Sequence, residues 1–229
     1  LSPKLGAHRT EPFVEVHPLD AKSHGLSHNG YARITSRHGS CILKVMCSAS
    51  QQPGSVFAPI HWNDSNASSA RVGDLVAPRT DPFSGQPEAK ATPVAIAPVA
   101  FAYRGFALSR TDLTLPKDAC WARVALADSC GLVFATNDGP AAWRDLAPGM
   151  FGDAVLTEYH DRARGLYRAA AFVGGQLNGA LFIGPESAPP QWSDLRNMAG
   201  GPGLAESGPV VCACFGVGVA AIHDAISSR

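Results

Sequence analysis

Two cysteines near the end of the chain have the spacing of a metal-ligand pair. Cys212 and Cys214 are separated by one residue, and Val219, Ile222 and Ile226 follow at the spacing of one helix face. Thiolates in the first turn of a helix have lowered pKa values, because the free backbone N–H groups there favour negative charge. The pair therefore predicts two of the four thiolates that a metal centre needs, and the alternative is two incidental thiols at a helix start.

A second candidate region is the polar stretch of residues 63–90, which is marked by glycines and prolines. Loops of this length inside a compact domain are usually functional or disordered. The stretch directly follows His61 and Trp62, and it contains Gly73, Asp74 and Lys90. We therefore expect this stretch to be either a functional loop or a disordered segment.

Composition limits the kinds of protein that the sequence can encode. Hydrophobic residues make up 45% and charged residues 17% of the 229 residues, which favours a compact fold over a disordered chain. The formal net charge is zero, so a nucleic-acid partner is not expected, although a local basic pocket for one phosphorylated ligand is compatible with it. No apolar run has the length of a membrane span, so no membrane partner is expected.

The ends of the sequence and its remaining cysteines bear on two points, whether the chain is part of a longer polypeptide and in which cellular compartment it functions. The chain does not begin with Met and ends abruptly, which favours a fragment of a longer polypeptide. Its first residues lack the pattern of a signal peptide. Four further cysteines are scattered in apolar contexts, as expected of buried free thiols in a cytoplasmic protein: Cys41, Cys47, Cys120 and Cys130.

The pattern of apolar residues predicts mainly strands with a few helices. Short helices are expected at residues 17–22 and 138–146. Hairpins are expected around the turns at residues 37–40 and 174–176. Strands are expected at residues 12–16, 31–36, 41–46, 55–59, 93–96, 122–126, 131–135, 155–161, 166–173 and 177–183. We predict three domains, at residues 1–100, 101–200 and 201–229.

Two segments in the first hundred residues carry a family resemblance. The sequence EPFVEVHPLDAKSHGLSHNGYARITSRHGSCILKV, followed by PGSVFAPIHWND, is similar to the C-terminal domain of the molybdopterin oxidoreductases. The segment DPFSGQPEAKATP at residues 81–93 resembles the assimilatory nitrate reductase branch of that family. The resemblance implies a six-stranded double-psi β-barrel at residues 1–100 that closes over molybdopterin guanine dinucleotide, the cofactor that holds molybdenum.

The same resemblance suggests individual cofactor-binding residues. Lys90 matches the lysine that contacts the cofactor, with a solvated surface lysine as the alternative. Gly73 stands where relatives have an asparagine, so Asp74 or a backbone group would replace that contact. His61 and Trp62 match residues near the substrate channel, with a hydrogen-bonded core histidine and a buried core aromatic as the alternatives. Arg37 and His38 lie at a hairpin tip, where a solvated turn is the favoured interpretation.

Two later segments resemble other redox modules. The sequence EYHDRARGLYRAAAFVGGQLNGALFIGP, within residues 115–197, is similar to the small C-terminal domain of flavin-dependent reductases. The resemblance implies a small α+β module to which no chemistry is assigned. The sequence VVCACFGVGVAAIHDAI resembles the start of a bacterioferritin-associated-ferredoxin-like domain. It implies that Cys212 and Cys214 are two ligands of a 2Fe–2S cluster, left incomplete here, at the start of a C-terminal helix.

Together these resemblances imply part of an enzyme that reduces nitrate to nitrite. The implied partners are the upstream domains of the same polypeptide, nitrate, and an electron donor that is ferredoxin, flavodoxin or an NAD(P)H-linked reductase. No catalytic residue is assigned in this chain, and the fragment alone is expected to be inactive. Two alternatives stay open, another molybdopterin oxidoreductase such as a formate dehydrogenase, and a non-enzymatic electron-transfer or interaction module.

Overall fold

The computed structural model of the chain describes residues 11–88, 91–125, 129–190, 210–212 and 217–218, together with Ser227. These residues are arranged as two compact units, one of residues 11–100 and one that begins at Phe101. Strands outnumber helices in both units, which confirms the predicted mainly-β class. Within the described ranges, no helix is both long and apolar enough to cross a membrane.

The first unit is a five-stranded mixed sheet with two short helices. The elements are β1 (Phe13–Val16), α1 (Pro18–Ser23), β2 (Tyr31–Thr35), β3 (Ser40–Cys47), β4 (Val56–Phe57), a 3-10 helix (Val72–Leu75) and β5 (Ala95–Val99). Strand β1 pairs in parallel with β3, and the other neighbours are antiparallel in the order β4-β1-β3-β2-β5. The expected β2–β3 hairpin is confirmed, and the six-stranded double-psi barrel stays a prediction.

Alternation in the sequence decides which face of this sheet is buried. Ala32 and Ile34 of β2 are buried, whereas Arg33 between them is exposed. In β3, Leu43 and Val45 are fully buried. Because successive side chains of a strand point to opposite faces, these apolar residues lie on one side of the hairpin. The hairpin register is thereby fixed, and with it the position of the turn between β2 and β3.

The second unit is a six-stranded antiparallel sheet that carries one long helix. The elements are β6 (Tyr103–Ser109), β7 (Cys120–Ala125), β8 (Cys130–Thr136), α2 (Pro140–Phe151), β9 (Val155–Asp161), β10 (Leu166–Val173), β11 (Gln176–Pro185), β12 (Val210–Cys212) and β13 (Val217–Gly218). The sheet has the order β7-β8-β6-β11-β10-β9. A separate two-stranded ribbon pairs β12 with β13.

Helix α2 packs on this sheet through an aromatic stack. The Trp143 ring is fully buried and lies 4.3 Å from the Phe134 ring on β8, at an interplanar angle of 15°. Gly105 on β6 faces Phe134 across the sheet, and its missing side chain leaves the space that the Phe134 ring occupies. The buried Tyr167 hydroxyl donates to Glu158 Oε1 at 2.6 Å, which gives its polar atom a partner beside the core.

Strand β6 and the length of α2 were missed at the sequence level. Strand β6 lies inside the sheet and buries the consecutive residues Phe106, Ala107 and Leu108, so it shows no alternation. The predicted helix at residues 138–146 extends to Phe151 and passes through Pro148. Its continuation follows from the burial of Ala147 and Phe151, which fall one and two turns after Trp143 on the same face.

The predicted helix start at the paired cysteines is wrong for the residues that the structure describes. Val210–Cys212 and Val217–Gly218 pair as antiparallel strands, so Cys212 ends a strand. β-Branched valines in both segments favour this extended pairing over a first helical turn. Cys214 and most of the predicted C-terminal helix lie outside the described residues.

The Gly105–Phe134 contact gives a stability prediction. A Cβ at Gly105 would meet the Phe134 ring and the Phe182 carbonyl oxygen, so Gly105→Ala should lower the free energy of unfolding by about 1–3 kcal/mol or more. The matched control is Gly149→Ala in α2, where an added Cβ meets nothing within 4 Å. The control should stabilise by roughly 0.5–1 kcal/mol, because alanine favours the helix. Urea unfolding measures both, and equal effects would contradict the packing described for Gly105.

Candidate functional site

A groove lies at the turn between β2 and β3 in the first unit and is here called the β2–β3 groove. Its volume is about 770 Å³. One side is formed by the hairpin turn and the other by the ends of the long loop that precedes β5. The lining consists of Ser36, Arg37, His38, Ala77, Pro78, Arg79, Glu88, Ala91, Thr92 and Pro93.

Ser36 holds the hairpin turn in place. Its hydroxyl donates to the Leu75 carbonyl oxygen at 2.7 Å and accepts the backbone N–H groups of His38 (3.0 Å) and Gly39 (3.3 Å). The turn is closed by a backbone hydrogen bond from Ser36 N to Gly39 O at 2.9 Å. The hydroxyl therefore fixes the turn internally and ties it to the 3-10 helix at the same time.

Gly39 allows the 3-10 helix to approach the turn closely. A Cβ at this position would lie 2.6 Å from the Asp74 carbonyl oxygen, well inside van der Waals contact. Val72 and Leu75 of the 3-10 helix are buried, whereas Gly73 and Asp74 between them are exposed. The structure thus brings the predicted residues Gly73 and Asp74 beside the β2–β3 turn.

Arg71 connects this helix to the loop that follows Trp62. Its guanidinium lies 3.1 Å from Asp64 Oδ2 and 3.5 Å from Asp74 Oδ1. All three side chains are more than half exposed, so each pair contributes little to stability. The two pairs nevertheless neutralise Arg71 and Asp74, and Asp74 therefore presents a partnered carboxylate next to the groove.

The predicted residues His61 and Trp62 do not line the β2–β3 groove. Trp62 is 3% exposed, and its Nε1 has no hydrogen-bond partner in the described part of the chain. The His61 ring is exposed and lies 5.3 Å from the Trp62 ring. Burial of Trp62 agrees with the core alternative, while exposure of His61 argues against a core histidine.

Of the remaining predicted site residues, Lys90, Cys212 and Cys214, only Cys212 is among the described residues. Lys90 lies outside the described residues, between Glu88 and Ala91, which both line the groove. Cys212 ends β12 in the second unit, and Cys214 is outside the described residues. Among the described residues, no group of three or more His, Cys, Asp or Glu side chains is placed to hold a metal ion.

The charge of the groove lining favours an anionic ligand. Arg37 and Arg79 line the groove, and no carboxylate among the described residues lies within ion-pair distance of either guanidinium group. The His38 imidazole is a third nitrogen-bearing side chain in the lining. Glu88 is the acidic residue of the lining. Guanidinium groups bind phosphate with two parallel hydrogen bonds, so two of them fit a phosphate-bearing ligand such as a dinucleotide.

Arg79 was missed at the sequence level, and Arg37 was assigned to a solvated turn. A basic residue before the DPFSGQP segment was the available signal for Arg79, but its neighbour across the groove is about forty positions away. Only the fold shows that the turn of the hairpin and the ends of the loop face each other. The cationic character of the groove therefore comes from tertiary structure.

Comparisons with known proteins show which proteins the chain is similar to. Residues 2–93 match the family model of the Molydopterin dinucleotide binding domain. The chain is 33% identical to a nitrate reductase of Klebsiella oxytoca, over 98% of this chain and 28% of that protein. It is 32% identical to the assimilatory nitrate reductase catalytic subunit of Bacillus subtilis (strain 168), over 43% of this chain and 13% of that protein.

A fourth similarity points to a related enzyme class. The chain is 30% identical to the F420-dependent formate dehydrogenase 1 subunit alpha of Methanococcus maripaludis, over 35% of this chain and 11% of that protein. The chain spans less than a third of the length of each of these relatives. The similarities support a molybdopterin oxidoreductase region of the nitrate reductase type. The proposed likenesses of residues 115–197 and 210–226 to smaller redox modules stay predictions.

The close approach at Gly39 gives a second stability prediction. Gly39→Ala should push the 3-10 helix away from the turn and lower the free energy of unfolding by about 1–3 kcal/mol. Gly73→Ala is the matched control, because a Cβ there meets nothing within 4 Å. Urea unfolding of the two variants measures the difference. The contact would be refuted if Gly39→Ala were tolerated as well as Gly73→Ala.

Cys41 gives a pH prediction. Burial, and to a lesser extent the nearby Asp74 charge, raises the pKa of the Cys41 thiol from 9.0 to about 12. The unfolded thiol ionises from about pH 9 while the folded thiol stays protonated, so the free energy of unfolding should fall between these values, by up to about 1.4 kcal/mol per pH unit. Cys41→Ala should remove this part of the slope in urea unfolding, and the half-buried Cys47→Ala should retain it. Equal slopes for both variants would contradict the assignment.

Proposed function

We propose that the chain is the C-terminal part of an assimilatory, molybdenum-dependent nitrate reductase and binds part of its molybdopterin guanine dinucleotide. The observation that carries the proposal is the cationic β2–β3 groove, which is lined in part by segments that resemble this family. The match of 98% of the chain to a nitrate reductase supports the reaction. We place the protein in the cytoplasm, in keeping with the free cysteines among the described residues.

The residues of the groove would hold the dinucleotide part of the cofactor. Arg37 and Arg79 supply guanidinium donors for phosphate oxygens, and Lys90 is proposed to add a third cation from the same loop. His38 supplies a ring nitrogen at the hairpin turn. When bound, the molybdenum of the cofactor supplies the oxygen-atom transfer that converts nitrate to nitrite. The residues of this chain bind and orient the ligand, and none is assigned to proton transfer.

His61 and Trp62 remain proposed neighbours of the cofactor pocket. The buried Trp62 Nε1 has no partner among the described residues, and a buried N–H normally finds an acceptor. A cofactor oxygen or a group from another domain would satisfy it. The exposed His61 ring lies beside the Trp62 ring, 5.3 Å away between ring centroids.

Cys212 and Cys214 are proposed as two of the four ligands of a 2Fe–2S cluster. Cys212 ends a strand, and a short strand pair can present cysteines to a cluster without a helix. The other two ligands are proposed to lie in the complete polypeptide. Electrons would come from ferredoxin, flavodoxin or an NAD(P)H-linked reductase. The upstream domains are proposed to hold the rest of the cofactor site, so the 229 residues alone should not reduce nitrate.

A formate dehydrogenase is the second candidate, because the chain is similar to such a subunit over 35% of its length. The two functions are separated by assaying the complete polypeptide with nitrate and a reduced dye, and with formate and an oxidised dye. We expect nitrate reduction and no formate oxidation. Formate oxidation alone would overturn the nitrate assignment. Absence of molybdenum and guanine from the purified polypeptide would favour a non-enzymatic module.

The groove residues give a binding prediction for the complete polypeptide. Arg37→Ala and Arg79→Ala should each weaken cofactor binding by about tenfold or more, because a charge-assisted hydrogen bond contributes about 1.5–3 kcal/mol. The measurement is the molybdenum and guanine content after dialysis. Arg33→Ala is the matched control, because Arg33 is an exposed arginine of β2 that does not line the groove. Equal cofactor loss in all three variants would show that the groove is not the binding site.

A further inference from the structure

The long loop contains a narrow hairpin of residues 79–88, here called the Phe83 finger. Backbone hydrogen bonds join its two arms, from Glu88 N to Arg79 O at 3.1 Å and from Asp81 N to Gln86 O at 2.9 Å. Every residue of the finger is exposed. The finger is therefore a protrusion that is held together by its own backbone and not by packing on the sheet.

The tip of the finger is locked by Asp81. One carboxylate oxygen, Oδ1, accepts the backbone N–H groups of Phe83 (3.1 Å) and Ser84 (2.8 Å) and the Ser84 hydroxyl (2.9 Å). The Ser84 and Phe83 hydrogen bonds favour the carboxylate and thereby lower the pKa of the Asp81 carboxyl below its ordinary value. Gly85 completes the turn at φ +69°, a conformation that favours glycine. The position of the Phe83 backbone is thus fixed before any partner binds.

This locked tip presents an aromatic side chain to solvent. Phe83 is 97% exposed, more than any other large apolar residue of the described chain. An aromatic residue whose backbone is already fixed loses less conformational entropy when its side chain is buried, and aromatic residues are frequent among those that dominate protein interfaces. The exposed Phe83 side chain therefore has the geometry of an interface anchor residue, which binds in an apolar pocket of its partner.

We propose that the Phe83 finger inserts into an apolar pocket on the remainder of the same polypeptide. This contact would hold the loop side of the β2–β3 groove in a fixed position. This inference rests on the proposed function. The arms of the finger contribute Arg79 and Glu88 to the groove lining, so whatever covers the groove lies within reach of the tip. The chain spans 28% of the Klebsiella oxytoca nitrate reductase, so a polypeptide of that kind has enough further chain to supply the apolar pocket.

Hydroxyl-radical footprinting tests the proposal directly, because it reports the solvent exposure of individual side chains. The oxidation rate of Phe83 is compared between the 229-residue chain and the complete polypeptide. We expect the rate to fall roughly tenfold in the complete polypeptide, as the side chain goes from 97% exposed to buried. Leu19 on α1, which is 66% exposed, serves as the internal control and should change much less.

Substitutions provide an independent readout. Phe83→Ala should leave the thermal midpoint of the 229-residue chain unchanged and lower the thermal midpoint of the complete polypeptide. Phe83→Leu should lower the midpoint of the complete polypeptide much less than Phe83→Ala does, because leucine keeps an apolar side chain at the tip. Leu19→Ala is the matched control for loss of an exposed apolar side chain. Equal Phe83 oxidation in both proteins would overturn the proposal, as would concentration-dependent protection in the 229-residue chain, which would assign the tip to a second copy. Protection of Phe83 in a polypeptide that lacks molybdenum would uphold the docking and refute only the proposed function.

Discussion

The contact between the β2–β3 turn and the 3-10 helix is the constraint on which the candidate site depends. Gly39 brings the turn against the Asp74 carbonyl, and the Ser36 hydroxyl binds the Leu75 carbonyl from the same turn. These two contacts join segments that lie more than thirty residues apart. Without them the start of the long loop would not return to the hairpin, and Arg37 and Arg79 would not line one groove. The chemistry of the site therefore follows from a backbone approach that only glycine permits.

Local charge at this site differs from the charge of the whole chain. The 19 basic and 19 acidic residues balance, so long-range attraction of a polyanion is not expected. In the groove, however, two arginines have no carboxylate within ion-pair distance among the described residues, whereas the neighbouring Arg71 is held by Asp64 and Asp74. The charge of Arg71 is thus balanced by its two carboxylate partners, whereas Arg37 and Arg79 are the arginines that we propose to bind the ligand. A protein that recognises one bound cofactor needs this local arrangement and not a basic surface.

The two units use glycine for the same physical purpose in different settings. In the first unit, Gly39 admits a backbone carbonyl, and in the second, Gly105 admits the Phe134 ring that stacks on Trp143 of α2. In both, the absence of a Cβ lets a neighbouring element come closer than any other residue would allow. Gly105 is buried and Gly39 is half-buried, and at both positions an added methyl group would overlap atoms of the neighbouring element.

The sequence by itself determined the elements whose periodicity is local. Alternation in residues 31–46 specified the β2–β3 hairpin, and Pro18 and Gly25 specified the ends of α1, because these signals act within a few residues. The motifs also led to a resemblance that the similarity over residues 2–93 supports. Tertiary structure alone decided the central strand β6, whose burial on both faces removes alternation, and the strand pairing at Cys212. It also decided the groove, because Arg37 and Arg79 become neighbours only after the chain has folded, and long-range proximity leaves no local pattern in a single sequence.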